Sequence, residues 1–461
     1  MSTTIEQEKA PDIKNPKALL FSLCFVLMFS VMNGTMFNIA IPDIAVAFDL
    51  LPSQVSWVMT GYIMIYSVGA LIYGKLADTV AFKTLITFGL TVFTVGSLVG
   101  FIAPNYGFVL MARIIQAIGG SMIPAIAFLA PIRYFPKERG KVLGIISSVM
   151  AFASGIGPIL GGTIAGLLDW QYLFLSSALI IVTLPLLRKN IPDEDTSNLK
   201  LDYFGASLVA STIVTLLMGI TLSNPFSLIA SLLFAIFAYI RMRLAKEPFI
   251  PPHLFENRNY VVAILTGFIS VSCLFGLMFT VPILLRDVYE LSTLQIGLVM
   301  FPGAMSAALI GRKGGSLVDQ KGSRVIFAMS LFLLMSGLFI VSSTVGINPV
   351  LFSFMLVFPM MCFPLVQASG ADILANILKN NETGVGMGVF NLLNFVSGAL
   401  SGAIIGKILD VFRPDEAWNI LALSGSSSVY SNVFLICSLF ILIGLIFFKL
   451  LFSDTETKAP Y

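Results

Sequence analysis

Apolar runs of about 20 residues recur from one end of this 461-residue chain to the other. A run of that length fits the hydrocarbon core of a bilayer as a helix, where every backbone polar group must be bonded within the segment. Fourteen such runs can be read, at roughly 18–41, 55–77, 84–103, 106–132, 142–167, 170–188, 203–222, 225–243, 260–284, 294–316, 325–344, 348–371, 385–409 and 430–450. The expected fold class is therefore all-α integral membrane. Only 11% of residues are charged, and mean hydropathy is +0.94, where soluble domains average about 25% charged.

The same composition excludes several functions. The net charge of +3 comes from basic residues scattered between apolar runs, with no stripe for nucleic acid. Cys24, Cys273, Cys362 and Cys437 are isolated in apolar runs, and the single His253 sits in a polar loop. No metal-ligand spacing or nucleophile–base pair results. No cofactor and no enzymatic activity are expected.

The basic residues orient the spans. With the N-terminus in the cytoplasm, 23 of the 27 Lys and Arg fall on inner loops, tails and span ends. Arg286, Lys407 and Arg413 fall outside, and Arg113 falls within span 4. A missed span would invert everything after it, so the asymmetry supports fourteen spans with both termini cytoplasmic.

Two polar loops divide the chain. The expected organisation is a tail at 1–17, a six-helix bundle at 18–189, a linker at 190–201, two inserted helices at 202–245, a linker at 246–259, a second six-helix bundle at 260–452 and a tail at 453–461. A repeat supports the 6 + 2 + 6 division. Gly74-Lys75-Leu76-Ala77-Asp78 closes span 2, and Gly315-Ser316-Leu317-Val318-Asp319 closes span 10, 241 residues later at the matching turn. Internal repeats of this kind mark transporter folds.

The candidate chemistry lies in few residues. Arg113 is the one basic group within a span, and burying it costs at least about 2.5–3.5 kcal/mol, so it must face the interior and find partners. Asn33, Gln116 and Asn38 are available. Arg113 either organises a proton or substrate path or ties spans 1, 2 and 4 together, and it stays protonated in both cases. No Asp or Glu stands mid-span; Asp43, Asp287 and Asp410 lie near the outer ends, and Asp372 lies near the inner end of span 12. Asp43 and Asp287 occupy equivalent ends of spans 1 and 9 and are the proton-coupling candidates beside Arg113. A soft, mostly apolar cavity is expected from Asn33, Met36, Phe37, Tyr62, Tyr66, Phe363, Gln367, Asn391 and Asn394.

Small residues in span 5 mark either a rocking contact or ordinary tight packing. In Gly155-Ile156-Gly157-Pro158-Ile159-Leu160-Gly161-Gly162 the glycines allow close backbone approach and Pro158 a bend. The expected partner is span 10, through Gly303, Ser306, Ala307 and Gly311. Asp78 is expected to latch the start of span 13 after Asn381-Glu382-Thr383-Gly384, where the helix end is partly positive. Lys83 and Arg133 are further partners, and Gly74, Gly315 and Asp319 complete the gating set.

These stretches, with Arg113-Ile114-Ile115-Gln116-Ala117-Ile118-Gly119-Gly120 in span 4, resemble the major facilitator superfamily and its fourteen-span drug:proton antiporters. Leu291-Ser292-Thr293, Phe301-Pro302-Gly303 and Gly384 to Asn391 are similar to the tetracycline and multidrug exporters of Gram-positive bacteria. The resemblance implies proton-coupled efflux of varied hydrophobic small molecules across a bacterial cell membrane, with Arg113 in coupling. It also implies acidic residues where this chain has Asn33, Gly34, Ser154 and Gly398, so tetracycline is not carried over. An anionic or lipid-like metabolite with weak proton coupling is the alternative substrate class.

Overall fold

The computed structural model describes residues 15–50, 52–55, 57–192, 202–221, 224–291, 293–379, 382–411, 417–422 and 428–452. Most of both tails and of the first linker, with Asn381 and Arg413, lies outside the described residues, as do the side chains of Asn38, Pro158 and Asp410.

All regular structure among the described residues is helical. In chain order the helices are α1 (Pro16–Ala47), α2 (Pro52–Val55), α3 (Trp57–Leu76), α4 (Phe82–Phe101), α5 (Tyr106–Gly120), α6 (Met122–Tyr134), α7 (Arg139–Leu167), α8 (Tyr172–Ala178), α9 (Leu184–Asn190), α10 (Tyr203–Thr221), α11 (Pro225–Leu244), α12 (His253–Glu256), α13 (Arg258–Asp287), α14 (Thr293–Lys321), α15 (Ser323–Thr344), α16 (Pro349–Met360), α17 (Cys362–Ile377), α18 (Thr383–Val411) and α19 (Ser428–Leu451). Thirteen segments among the described residues are long and apolar enough to cross a membrane. The expected tenth span is the apolar part of α14, Gln295–Gly311, which is shorter because Arg312 and Lys313 follow it.

Local chemistry starts these helices. Asn15-Pro16, Asn224-Pro225 and Asn348-Pro349 open α1, α11 and α16, each Asn side chain accepting a first-turn amide. Asn satisfies an orphan donor, and Pro needs none at the first helical position.

Two spans are broken mid-way at matching places. α5 passes to α6 at Ser121, and α16 passes to α17 at Met361. Each break stands three residues before a proline, Pro124 and Pro364, which has no amide to close the preceding turn.

Two long seams join the first six spans to the last six. α3 packs along α18, and α7 packs along α14. α10 and α11 pair with each other, and α10 also touches α3 and α18. α11 leaves most of its surface exposed, as expected of a helix facing lipid. Lys75, Arg133, Lys137, Arg139, Lys141 and Lys321 cluster where α3 and α14 end and α7 begins, which defines a basic end of the bundle.

Candidate functional site: a caged arginine and a doubly latched end

Arg113 is 1% exposed on α5. Its Nη1 donates to Asn33 Oδ1 at 2.9 Å and to Gln116 Oε1 at 3.0 Å. Its Nε donates to the Val58 carbonyl at 3.1 Å. The rings of Phe37 and Tyr62 lie over the guanidinium at 4.2 and 3.9 Å, contacts worth about 0.5–2 kcal/mol each. A second layer fixes the carboxamides: Asn33 Nδ2 donates to Ser177 Oγ at 2.7 Å, and Gln116 Nε2 donates to Ser97 Oγ at 2.8 Å. Their oxygens are thereby aimed at the cation. Gly96 makes this possible, since a Cβ there would stand 2.6 Å from the Gln116 amide. Among the described residues no carboxylate pairs with Arg113. Aromatic faces and neutral oxygens hold the charge instead.

The cavity candidates separate into two groups. Asn33 and Phe37 belong to the arginine cage, and Met36 packs on Gly161 of α7. These three pack within the first bundle, and Tyr62 joins them by covering the same guanidinium. Tyr62 stacks on Tyr66 within α3 with ring centroids 5.3 Å apart, and Tyr66 meets Phe395 of α18 edge-on across the seam at 5.0 Å. Asn394 Nδ2 donates to Gln367 Oε1 at 3.3 Å, and Phe363 packs on Phe275. Among the described residues Tyr62 Oη and Asn391 Nδ2 are buried without a partner, as are Gln171 Oε1 and the hydroxyls of Thr266, Ser272 and Thr280. Buried polar atoms are nearly always bonded, and of these six Tyr62 Oη and Asn391 Nδ2 belong to the cavity candidates.

The span 5 glycines also face two ways. A Cβ at Gly155 would meet Ala304 of α14, whereas Gly157 and Gly161 abut Thr35 and Met36 of α1. Two residues along a helix turn about 200°, so the motif cannot serve one partner. Gly162 lies beside them on α7. Beyond Gly155, the contact with α14 runs through Gly140, Gly144 and Ser148, the last donating to the Ala307 carbonyl at 3.3 Å.

At the basic end Asp78 Oδ1 accepts from the Gly384 amide at 2.8 Å and Oδ2 from Val385 at 3.0 Å. Asp319 treats α7 the same way, accepting from Gly140 at 2.7 Å and Lys141 at 2.8 Å. Each carboxylate caps a partly positive helix start. The glycines of the repeat clear the way: a Cβ at Gly74 would lie 2.5 Å from the Gly384 carbonyl, and one at Gly315 would lie 2.9 Å from Gly144 Cα. Arg133 reaches Asp78 at 3.5 Å, covers the Phe82 ring and donates to the Ala77 carbonyl, while Lys83 stands beside Phe82 at the start of α4. Burial pushes the Asp78 carboxyl up to about 6, against the pull of the Gly384 and Val385 amides and of Arg133.

A third tie was not foreseen from sequence. Arg139 Nε donates to Asp372 Oδ1 at 2.5 Å, and Nη2 donates to Asn376 Oδ1 at 2.5 Å. It joins the first residue of α7 to the last turns of α17, 233 positions away. The outer candidates are placed differently: Asp43 is exposed near the end of α1, and Asp287 is exposed at the end of α13, accepting from Tyr430 Oη at 2.5 Å.

The sequence profile of the Major Facilitator Superfamily matches residues 23–402. The riboflavin transporter RibZ of Clostridioides difficile (strain 630) is 30% identical over 69% of this chain and 71% of its own. The multidrug efflux pump SdrM of Staphylococcus aureus (strain N315) is 25% identical over 84% of this chain and 89% of its own. In fold, the crystal structure of the human organic anion transporter MFSD10 aligns with a TM-score of 0.66 at 14% identity, covering 94% of this chain and 100% of that one.

Proposed function

The chain belongs to the Major Facilitator Superfamily, as a multi-pass membrane transporter, and from that premise we propose that it exports varied hydrophobic small molecules in exchange for protons. The observation that carries this reading is the doubled latch, Asp78 on α18 and Asp319 on α7. Two equivalent seams are closed at one end by caps that can be broken together, which is what alternating access requires. The similarity to a multidrug pump supports the substrate class. So does the aromatic seam of Tyr62, Tyr66 and Phe395, which offers stacking faces without a fixed charge.

In this reading α14 spans, giving fourteen spans in a 6 + 2 + 6 order with the basic end and both termini in the cytoplasm of a bacterial cell. Tyr62, Tyr66, Phe363, Gln367, Asn391 and Asn394 hold the substrate. Gly74, Asp78, Arg133, Gly315 and Asp319 gate the basic end, and Asp43 and Asp287 meet protons at the far end. Arg113 positions spans 1, 2 and 4 around the cavity and does not titrate.

One observation favours a second reading, transport of neutral or anionic polar aromatics. Arg113 carries its charge into the bilayer with no carboxylate beside it among the described residues, so the cavity's field repels cations. The relative named as a riboflavin transporter fits that class. Proteoliposomes decide between the readings. Uptake of a neutral hydrophobic dye and of riboflavin is measured with and without an imposed pH gradient. Dye uptake that rises with the gradient supports the first reading, riboflavin uptake indifferent to it supports the second, and uptake of neither contradicts both.

A further inference from the structure

The six unpartnered buried atoms among the described residues differ in where they lie. The hydroxyls of Thr266, Ser272 and Thr280 stand on α13, which packs on α17, α18 and α19 of its own bundle. Gln171 Oε1 is an acceptor at the turn before α8. Tyr62 Oη and Asn391 Nδ2 stand on the two helices of the seam between the bundles, on residues 3% and 2% exposed.

The two atoms flank one aromatic contact. Gly74 meets Gly384, Leu71 meets Gly388 and Tyr66 meets Phe395, so α3 and α18 run antiparallel. Asn391 lies one turn from Phe395 toward the basic end, and Tyr62 lies one turn from Tyr66 away from it. Each is about 6 Å along its helix from the contact. The neighbouring polar groups already have partners. Tyr66 Oη pairs with Ser30 Oγ at 3.0 Å, and Asn394 Nδ2 donates to Gln367 Oε1 at 3.3 Å. Both unpartnered atoms are donors. A carboxamide nitrogen only donates. The Arg113 guanidinium lies 3.9 Å from the Tyr62 ring centroid, and a cation there draws electron density from the phenol, so its hydroxyl donates better than it accepts. This stretch of the seam holds donors in excess and lacks acceptors.

We propose that Tyr62 Oη and Asn391 Nδ2 are the donors of a ligand site on this seam, and that the ligand is a planar, fused-ring aromatic with carbonyl oxygens at its edges; this rests on the reading above that the seam holds the substrate. The carbonyl oxygens accept the two free hydrogens, and Tyr66 and the partly buried Phe395 give the rings an apolar contact. A donor left unpaired in a buried place is a standing cost that an acceptor removes, so carbonyl oxygens raise affinity where a bare hydrocarbon gains nothing. Water is a poor substitute, because it needs two to four polar partners and Tyr66, Gln367 and Asn394 are already bonded. The Asp78 latch closes this seam at the basic end, and the ligand reaches the donors when the latch opens.

The test uses the full chain in lipid nanodiscs and two probes, an anthraquinone sulfonate and the anthracene sulfonate substituted at the same ring position. They share rings and charge and differ by two carbonyl oxygens. Binding is read by equilibrium dialysis against empty nanodiscs. The quinone should bind more tightly by about fivefold for each donor it engages. Tyr62→Phe keeps the ring over Arg113, and Asn391→Leu keeps the bulk. Each should lower the quinone's affinity about fivefold and leave the hydrocarbon's unchanged, and the double variant should bind both probes equally. Tyr62→Phe also removes an unpaired buried hydroxyl, so thermal stability should hold or rise; this variant decides alone if Asn391→Leu does not fold. Equal binding of the two probes to the unsubstituted chain overturns the proposal alone. So does a quinone preference undiminished by Tyr62→Phe, or a loss of stability in that variant. Binding of neither probe overturns the placement of the substrate at this seam as well.

Discussion

Asp319 accepts the Gly140 amide at 2.7 Å, across the seam between α14 and α7, and so repeats on one half what Asp78 does to Gly384 at 2.8 Å on the other. The two caps make the basic end a symmetric closure whose halves are separate in sequence and equivalent in space. Removing one should weaken closure without unfolding either bundle.

Asp319→Ala deletes a cap that serves two amides. A lost N-cap costs about 1 kcal/mol, roughly fivefold in an equilibrium. The open population at the basic end should rise by about that factor, read by spin-label distances, while thermal stability of the detergent-solubilised protein changes little. Asp319→Asn keeps one acceptor oxygen and should fall between.

The Asp78 latch should depend on pH in a definite direction. Its carboxyl is raised to about 6 when capped, because burial opposes the charge, against a value of 3.8 when free. The closed state therefore binds the proton more tightly than the open state. This contribution to closure is full below about 4 and fades as pH rises through about 6. Asp78→Asn is uncharged throughout and should abolish this part of the pH profile, read as the open population at the basic end by spin-label distances. A profile unchanged by Asp78→Asn would contradict the assignment.

Gly144→Ala tests the other seam by volume. The added Cβ would sit 2.7 Å from Gly315 Cα, backbone that cannot yield as a side chain does. Overpacking of this kind costs about 1–3 kcal/mol. In the two-state reading the seam parts on opening and relieves this clash, so the variant should favour the open end and lose transport cycling while still binding substrate.

Asn33→Asp would place a carboxylate where an amide oxygen now lies 2.9 Å from Arg113 Nη1. Arg113 is already buried as a cation, so the new carboxylate gains a paired charge that offsets its desolvation, and the variant should fold. It should also remove the net positive charge at the cavity's edge. The expected gain is uptake of lipophilic cations, measured in proteoliposomes beside a neutral dye; unchanged cation uptake would show that Arg113's charge does not reach the cavity.

Much of the fold is legible in the order of residues. Apolar length marks the spans, and Asn-Pro marks three helix starts. The G-x-L-x-D repeat marks two equivalent turns, but nothing local says which helix start each Asp will meet. The partner of Asp319 is 179 positions away and that of Asp372 is 233 away. Pairings at such separations follow from tertiary packing. The breaks at Ser121 and Met361 had a readable signal in Pro124 and Pro364. The cage of Arg113 was half visible, since Asn33 and Gln116 are polar residues in apolar runs. Phe37 and Tyr62 were not distinguishable as its covering rings, because 39 Phe and 12 Tyr compete for that role in the chain.

Alternating closure of the two ends is tested most directly by two label pairs measured on the same protein, before and after substrate. Lys137→Cys with Lys379→Cys reports the basic end, and Ile102→Cys with Ile420→Cys, both highly exposed, reports the far end. The two distances should change in opposite senses on adding a transported dye under a pH gradient, one lengthening as the other shortens. Distances that both stay fixed, or that move in the same sense, would contradict a two-state gate built on Asp78 and Asp319.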